Sequence, residues 1–356
     1  MDITTAGVDL AKDVITVCSQ DRSGRTLERR DFRRDAFRAW LSRLPRGCLI
    51  GMEACSSAHY WAREMGALGL EPRIMAAEFV QPFRKSRAGK NDRNDAEAIA
   101  VAAREANMRF VTVKSIDQQA RLARHRMREG WKEERTATGN RIRGLLAEFG
   151  LSIPKSQGAL AKALVEALHD ERVPEPMREL VRMAREHLTV LHERIAQCDR
   201  AIGLACRADP AAKRLQALCG VGPTSADAVI ATVGSAREFR NGRQFAAWMG
   251  LTPRQFSSGG KTRLGSITRR GDAYLRTLLI QGARSTLKQA TRCEPARATR
   301  SQQWILQLQA RAGYQKTLVA IANKNARTLW ALLAREETYN PDAWKAYAPA
   351  PVDFNA

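Results

Sequence analysis

The sequence predicts an α/β domain at the amino end of the chain, followed by two largely helical regions. Short β-type runs alternate with helical runs up to about residue 114, and no strand pattern appears between about residues 115 and 206. At 356 residues the chain is long enough for two or three domains, each with its own core. We therefore expect domains at 1–114, 115–206 and 207–340, and a loosely held tail rich in Pro and Ala at 341–356.

The amino-terminal region has a distinctive order of elements. Its first β-type runs are ITTAGVDL, VITVCSQD and RTLERRDF, which are separated by turns. A helix from about Asp35, the strand CLIGMEA, a helix through HYWAREMGALG and the strand PRIMAA follow. Three strands joined by hairpins, then helix, strand, helix and strand, is the element order of a ribonuclease-H-like domain, in which helices cover a mixed sheet.

The second region predicts a helical arm with an apolar seam. The positions that form the seam step alternately by four and three residues: Met177, Val181, Ala184, Leu188, Leu191, Ile195, Cys198 and Ile202. This is the spacing of a coiled coil. The partner helix is either the earlier one, from about Asp117 to Phe149, folded back through the turn LSIPKSQG, or a helix of a second protomer. An ordinary amphipathic helix on a globular core is the alternative.

A glycine pair opens the third region. In LQALCGVGPTSADAVIATVG, Gly220 and Gly222 flank a valine and are followed by Pro223 and a helical run. This pattern resembles the hairpin of helix-hairpin-helix modules, where backbone N–H groups at a turn and helix start receive a DNA phosphate. A plain turn between two helices is an equally good explanation.

A basic stretch follows, LTPRQFSSGGKTRLGSITRRGDAYLR, with six Lys or Arg residues, a Ser-Ser-Gly-Gly centre and a single acid, Asp272. Flexible glycines let a loop follow a phosphate backbone closely, and cations at this density hold phosphates. The candidate nucleic-acid-binding cations are Arg254, Lys261, Arg263, Arg269 and Arg270.

Composition narrows the class of partner. Lys plus Arg number 59 against 37 Asp plus Glu, and the net charge of +22 favours a large polyanion. No apolar run approaches the roughly 20 residues that span a bilayer, and the first ten residues do not form a signal peptide, so we expect no membrane partner and a soluble, cytoplasmic protein. Seven scattered cysteines without a C-x-x-C pair indicate reduced thiols and neither a disulfide framework nor a zinc site.

Four carboxylates are candidate metal ligands. Asp9 and Glu53 end two apolar strands, and Asp92 and Asp95 lie three residues apart at the head of a helix, on one face. The helical pair also suits N-capping and the helix dipole, which is a purely structural explanation. Four converging carboxylates would repel one another without a cation, and hard oxygen ligands favour Mg²⁺ or Mn²⁺. Should one of the four lie elsewhere, Glu97 and Asp13 are the candidate replacements.

These motifs together resemble the DEDD transposases of insertion sequences, the group described as bridge-RNA-guided serine recombinases. The resemblance runs from about residue 4 to 335 and is carried, in order, by GVDLAKD, GMEAC-x-x-AHYW, KNDRNDAEAIA, LCGVGP, FAAWMGLTPRQFSSGGKTRLGSITRRGDAYLRTLL and KTLVAIANK. It implies a RuvC-like amino-terminal domain, a coiled-coil arm and a carboxy-terminal transposase domain. The implied metal-binding tetrad is Asp9, Glu53, Asp92 and Asp95.

The resemblance also implies a nucleophile and partners. The family's serine belongs to a Ser-Gly pair, here Ser258-Gly259, with Ser257 one position away. Ser56 and Ser57 stand where relatives often have glycine, and we interpret them as helix N-cap residues. A covalent phosphoserine intermediate, donor and target DNA, a structured non-coding guide RNA, and a homo-oligomer (dimer or tetramer) formed through the coiled coil are implied, with serine and tetrad supplied by different protomers.

Two other classes of function remain open at this stage. One is a metal-dependent nuclease of the RuvC type that uses water as its nucleophile. The other is a non-catalytic basic nucleic-acid-binding protein in which the acids only cap helices.

Overall fold

The computed structural model describes residues 3–84, 92–256, 261, 263–294 and 297–341, without the side chains of Asp92 and Arg93. The chain divides into two compact units, Met1–Ile116 and Asp117–Ala356. The predicted arm and carboxy-terminal domain belong to the same unit. Of the predicted tail, 341–356, all but Pro341 lies outside the described residues.

The amino-terminal unit is built on one six-stranded mixed sheet. Its strands are β1 (Thr5–Leu10), β2 (Ile15–Gln20), β3 (Thr26–Phe32), β4 (Leu49–Glu53), β5 (Glu71–Met75) and β6 (Phe110–Val111). The order is β3-β2-β1-β4-β5-β6, with β1 antiparallel to β2 and parallel to β4. The first five strands confirm the sequence prediction. The sixth was not predicted, because two residues are too few to show a period.

Helices cover both faces of this sheet. They are α1 (Arg34–Leu41), α2 (Ala58–Ala67), α3 (Ala77–Val80) and α4 (Asp92–Arg104). Ala6 and Val8 of β1 pack into one core with Phe37 and Trp61 of α1 and α2. Because successive strand residues point to opposite faces, Gly7, between these two, points to the other face, where α4 lies.

Two glycines let α4 lie directly on the sheet backbone. A Cβ at Gly7 would lie 2.0 Å from the carbonyl oxygen of Ala96, and one at Gly51 of β4 would lie 2.6 Å from Cβ of Ala103. Gly7 and Gly51 are paired across the parallel strands, so together they form a smooth floor under the helix. Their role is therefore to bring α4 close to the ends of β1 and β4.

We expect Gly7→Ala to destabilise the amino-terminal unit by about 3 kcal/mol, because the added methyl group overlaps a backbone atom that cannot move alone. Urea unfolding followed by tryptophan fluorescence measures the change. Gly66→Ala is the matched control, because a Cβ at Gly66, inside α2, meets no atom within 4 Å. That substitution should be neutral or stabilising by about 0.5–1 kcal/mol. Equal effects of both substitutions would contradict the packing argument.

The second unit is mainly helical. Its elements are α5 (Ile116–Ala147), α6 (Gln157–Ala167), α7 (Glu175–Ala208), α8 (Pro210–Gln216), α9 (Pro223–Thr232), α10 (Gly242–Trp248), β7 (Pro253–Gln255), β8 (Leu264–Ile267), α11 (Ala273–Arg292), α12 (Arg300–Ala312) and α13 (Tyr314–Ala334). None of the described helices is both long and apolar enough to cross a bilayer.

The two long helices α5 and α7 form an antiparallel pair. Arg128 donates to Asp199 at 2.6 Å, and further along the pair His187 lies 2.8 Å from Glu134. Seven of the eight predicted seam positions on α7 are buried, and Ala184 is half-buried. In its first half the seam packs against α5 and α6, so the fold-back alternative is the one seen within the chain.

A buried polar cluster joins α5 to the helices of the carboxy-terminal region. Asp227 of α9 is fully buried and accepts hydrogen bonds from Arg121 (2.8 Å) and His125 (2.9 Å), and His125 also lies 2.9 Å from the hydroxyl of Tyr274. Burial alone would raise the pKa of Asp227, but the bonds from His125 and Arg121 lower it overall. The cluster therefore links the arm helix α5 to the carboxy-terminal region, which lies in the same unit.

Candidate active site

Two of the predicted carboxylates lie side by side at the carboxyl ends of the two central strands of the sheet. Val8 pairs with Met52 across the parallel strands β1 and β4, which places Asp9 beside Glu53. Each acid lies two residues after a glycine that faces α4, so both acids are on the α4 face. Both are half-buried. The carboxyl ends of two adjacent parallel strands thus present two acids to the same helix.

A third predicted carboxylate comes from α4. Asp95 is 6% exposed and immediately precedes Ala96, the residue that contacts Gly7. The close approach of helix and sheet therefore holds Asp95 near the strand ends. Sequence reasoning identified the acid but not the glycine floor that positions it.

Arg84 joins two of the three acids. Its Nη2 lies 3.3 Å from Oε1 of Glu53, and its Nε lies 3.0 Å from Oδ1 of Asp95. The Asp95 side chain is only 8% exposed, so this pairing is shielded from water on the helix side. A single positive charge therefore holds together carboxylates that would otherwise repel each other. In the sequence, Arg84 begins the basic run RKSR shortly before the two aspartates of α4, but nothing local in that run predicts its contacts with Glu53 and Asp95.

The thiol of Cys55 reports the negative charge at this edge. Burial, followed by the charges of Asp9 and Glu53, raises the pKa of Cys55. Its Sγ lies 3.8 Å from the carbonyl oxygen of Leu10, directly after Asp9. Asp9 and Glu53 are thus both close enough to this thiol to act on it electrostatically.

The fourth predicted carboxylate, Asp92, opens α4, but its side chain lies outside the described part of the chain. Among the described residues, no three Asp, Glu, His or Cys side chains are grouped so that they could hold a metal ion. The chemistry of the acids nevertheless fits Mg²⁺ or Mn²⁺, since anionic oxygens converge on a cationic group. Asp9, Glu53 and Asp95 are the described candidate ligands, and they would have to move closer together to hold such an ion.

The two replacement acids are placed differently. Glu97 is buried one turn along α4 and forms an ion pair with Arg29 of β3, which occupies it in the sheet packing. Asp13 is exposed in the turn between β1 and β2. Neither shares the Arg84 contact.

The prediction that Ser56 and Ser57 cap α2 is confirmed for the position of Ser57 but not for a capping hydrogen bond. Ser57, and not Ser56, is the N-cap residue, and its side chain makes no capping hydrogen bond. Its φ is 70°, in the left-handed region that favours glycine. Glycine would adopt this backbone conformation at lower cost than serine does.

The predicted nucleophile lies outside the described residues, as does Ser257, but the segments on either side of the pair are described. Strands β7 and β8 pair antiparallel at Gln255 and Leu264, and the N–H of Phe256 donates to the carbonyl of Arg263 at 2.8 Å. Residues 256 and 263 are therefore held next to each other, so the predicted serine belongs to the connection between two paired strands.

The predicted cations surround this hairpin. Arg254 belongs to β7, Lys261 and Arg263 precede β8 in the chain, and Arg269 and Arg270 follow β8; all five are exposed. The base of the hairpin is tightly packed, because a Cβ at Gly250, whose φ is +71°, would lie 2.1 Å from the carbonyl oxygen of Arg270. The basic hairpin therefore begins and ends at a tightly packed pair of segments around Gly250 and Arg270.

The glycine pair before α9 separates into two roles. Gly220 has φ +84°, and a Cβ there would lie 2.6 Å from the carbonyl oxygen of Gly282 in α11, so it serves helix packing. Gly222 is the exposed N-cap of α9, and a Cβ there would meet no atom within 4 Å. Of the two predicted phosphate contacts, Gly222 has the open surroundings that a phosphate needs, and Gly220 is explained by packing.

The mixed sheet with acids at its strand ends and the basic hairpin agree with the resemblance to DEDD-type transposases, and comparison with known families shows this class of protein. Residues 6–150 match the DEDD transposase model of the IS110 type, and residues 212–299 match the model described as the transposase IS116/IS110/IS902 family.

Known transposases resemble the chain over almost its whole length. A probable family 20 transposase of Pseudomonas aeruginosa is 47% identical over 96% of this chain and all of that protein. The transposase for insertion sequence element IS1111A of Coxiella burnetii is 39% identical over 95% of this chain and 92% of that protein. The transposase for IS1328 of Yersinia enterocolitica is 33% identical over 95% of this chain and 99% of that protein.

This chain belongs to the IS116/IS110/IS902 family of insertion-sequence transposases. Membership implies cleavage and transfer of DNA strands, and therefore DNA as substrate.

Proposed function

We propose that this transposase cuts and rejoins DNA through a covalent bond to Ser258, assisted by a divalent cation at Asp9, Glu53, Asp92 and Asp95 in a ribonuclease-H-like domain. The observation that carries the proposal is the convergence of the described acids: Asp9 beside Glu53, and Glu53 and Asp95 sharing Arg84. Acids gathered at the ends of two parallel strands around a positive charge serve a phosphate reaction better than they serve helix capping.

In this proposal the acids act on the phosphate indirectly, through the divalent cation that they bind. Mg²⁺ or Mn²⁺ bound there would neutralise phosphate charge and stabilise the oxygen that attacks or leaves. Arg84 pairs with the carboxylates of Glu53 and Asp95. When a cation binds these carboxylates, the guanidinium of Arg84 can bind phosphate oxygens in their place. The glycine floor under α4 keeps these groups in fixed positions, which lowers the entropy cost of reaching the reactive arrangement.

The serine step exchanges one phosphate ester bond for another and so conserves the bond energy. A bond forms between Oγ of Ser258 and phosphorus, the bond from phosphorus to the sugar oxygen breaks, Oγ loses its proton, and the departing sugar hydroxyl gains one. In the reverse step, a hydroxyl of another DNA end attacks the phosphoserine and releases Ser258. Bond energy is retained throughout, so rejoining needs no nucleotide cofactor.

The exposed cations around the hairpin hold the DNA during this exchange. Arg254, Lys261 and Arg263 lie within or beside the strands that flank the serine, so they are placed to bind the phosphates next to the one that reacts. Arg269 and Arg270, near the packed base, and the open N-terminus at Gly222 extend the phosphate-binding surface.

The deciding experiment is a denaturing gel that detects protein attached covalently to a cleaved, end-labelled DNA strand. An adduct that forms only with Mg²⁺ or Mn²⁺ is expected. Cleavage with free ends and no adduct would instead identify a RuvC-type nuclease that uses water. DNA binding without cleavage, unchanged by Asp9→Asn, would identify a non-catalytic binding protein.

We also propose that a structured RNA from the insertion element guides the reaction. The net charge of +22 is more than one short DNA duplex requires, and aromatic residues are only 6% of the chain. Recognition should therefore rest on phosphate and 2′-hydroxyl contacts and on RNA shape, and base stacking should contribute little.

At physiological salt we expect the element's own RNA to bind at least tenfold more tightly than an unrelated structured RNA of equal length. The reason is that shape recognition adds to a phosphate attraction that both RNAs share. Competition binding measures the ratio. Equal affinities, together with recombination that survives ribonuclease treatment, would leave a transposase that reads DNA ends by itself.

A homo-oligomer formed through the arm completes the proposal. Although the seam of α7 is satisfied within the chain, Leu180, Met183 and Val190 are 48%, 59% and 40% exposed on the same helix. Neighbours at helical spacing form a second apolar stripe that suits a partner arm. Met183→Lys with Val190→Lys should convert a dimer or tetramer to monomers in light scattering without lowering helix content. An unchanged molar mass would exclude this stripe as the interface.

A further inference from the structure

We propose a second nucleic-acid site in the second unit: a groove between α11 and α12 that binds the backbone of an unpaired DNA strand. Two adjoining depressions of about 500 and 390 Å³ share Ser285 and Lys288 and make one continuous groove. The inference rests on the family's action on DNA, and it adds a surface separate from the hairpin residues considered above.

The groove is cationic without opposing acids. Arg284, Lys288 and Arg292 of α11 line it and are exposed, and within the described ranges none of the three side chains forms an ion pair. No acidic side chain is among the described residues that line the groove. From Ala273 to Ala334 the sequence contains ten Lys or Arg residues and one acid, Glu294. Three exposed cations beside one another repel in the free protein, and a polyanion relieves that repulsion.

The spacing of the cations fits a single strand. They are four residues apart, so each step advances by about 6 Å along the helix. This distance is close to the separation of neighbouring phosphates along one strand, and the three cations form one slanting row. The side-chain amide of Gln302 adds a neutral donor to the same lining, whereas the hydroxyls of Ser285 and Thr291 donate to helix carbonyls.

An aromatic ring at one end favours an unpaired strand over a duplex. Tyr314 is 46% exposed and lines the groove with Gln309. An exposed ring beside a row of cations is the arrangement on which unpaired bases stack, whereas the bases of a duplex are already stacked on each other. A strand freed during cleavage and exchange is the ligand that fits this chemistry.

The test uses the full-length protein and fluorescent single-stranded dT oligonucleotides in 100 mM salt. Arg284→Gln, Lys288→Gln and Arg292→Gln combined should weaken binding by about 100-fold and lower the salt slope by about 2, since each lost phosphate contact lowers it by about 0.7. Tyr314→Ala should weaken binding at least fivefold, and Tyr314→Phe should restore it, because the phenyl ring still stacks. Thymine photocrosslinks should map to α11 and Tyr314.

The control removes the same charge elsewhere in the unit: Lys155→Gln, Arg185→Gln and Arg200→Gln, all exposed on the arm. Equal losses in both triple variants, or crosslinks confined to the hairpin, would overturn the proposal. So would a groove variant that loses affinity only for oligo-U or only for duplex DNA. A wild-type protein that binds no DNA at all would instead contradict the proposed function, so the two failures are distinguishable.

Discussion

Replacing Ser258 with alanine should abolish the covalent protein–DNA adduct and reduce strand rejoining by about a thousandfold or more, because no other group can take the place of the attacking oxygen. DNA binding should be unchanged, since the hydroxyl contributes little next to the surrounding cations. The adduct is quantified on a denaturing gel with a single-turnover amount of DNA.

Ser257→Ala is the matched control, one position away in the same basic stretch of the sequence, and it should retain the adduct. The reverse result, an adduct in Ser258→Ala and none in Ser257→Ala, would move the nucleophile by one residue. Normal DNA cleavage by both single variants and by the double variant would exclude a serine nucleophile and favour attack by water.

Asp95→Asn should lower the rate of DNA cleavage by about 100-fold or more, because it removes an anionic oxygen that contacts Arg84 and that we propose as a ligand of the divalent cation. Binding can be measured without activity: adding Mn²⁺ should raise the melting temperature of the wild-type protein and leave that of Asp95→Asn unchanged. Glu105→Gln is the control, an exposed acid just after α4. Equal melting shifts in Asp95→Asn and wild type would remove Asp95 from the metal site.

The substitution Arg84→Gln tests the same group of acids in a second way. In Arg84→Gln, Glu53 and Asp95 lose their shared counter-charge. Like charges about 4 Å apart repel by about 4 kcal/mol at an effective dielectric of 20, so the variant should melt lower without divalent ions and be rescued by Mn²⁺. A variant that melts like the wild type in a chelator would show that Arg84 does not balance these acids.

Local patterns in the sequence were enough to identify the elements that carry the site. The β-type runs that end in GVDL and GMEA predicted β1 and β4, and therefore placed Asp9 and Glu53 at strand ends. The buried seam of α7 could also be predicted, because a long helix with one buried face repeats its apolar residues at a fixed spacing. These features depend on neighbours in sequence, which is why they could be predicted without coordinates.

Contacts between distant segments had no such signal. Nothing local in Gly7 or Gly51 announces that α4 will lie on them, and nothing in Arg84 announces that it will join Glu53 to Asp95. The same holds for Asp227 and His125, which are 102 positions apart in sequence and 2.9 Å apart in the fold.

The sequence by itself therefore determined the order of elements, the acids at the strand ends and the basic character of the chain, which favours a polyanionic partner. Only the tertiary structure decided which of those acids share a counter-charge, which glycine of the pair before α9 is used for packing, and that the arm and carboxy-terminal region form one unit. The physical reason is range: periodicity and capping are set within a few residues, whereas register, close approach of backbones and charge pairing depend on residues that meet only when the chain has folded.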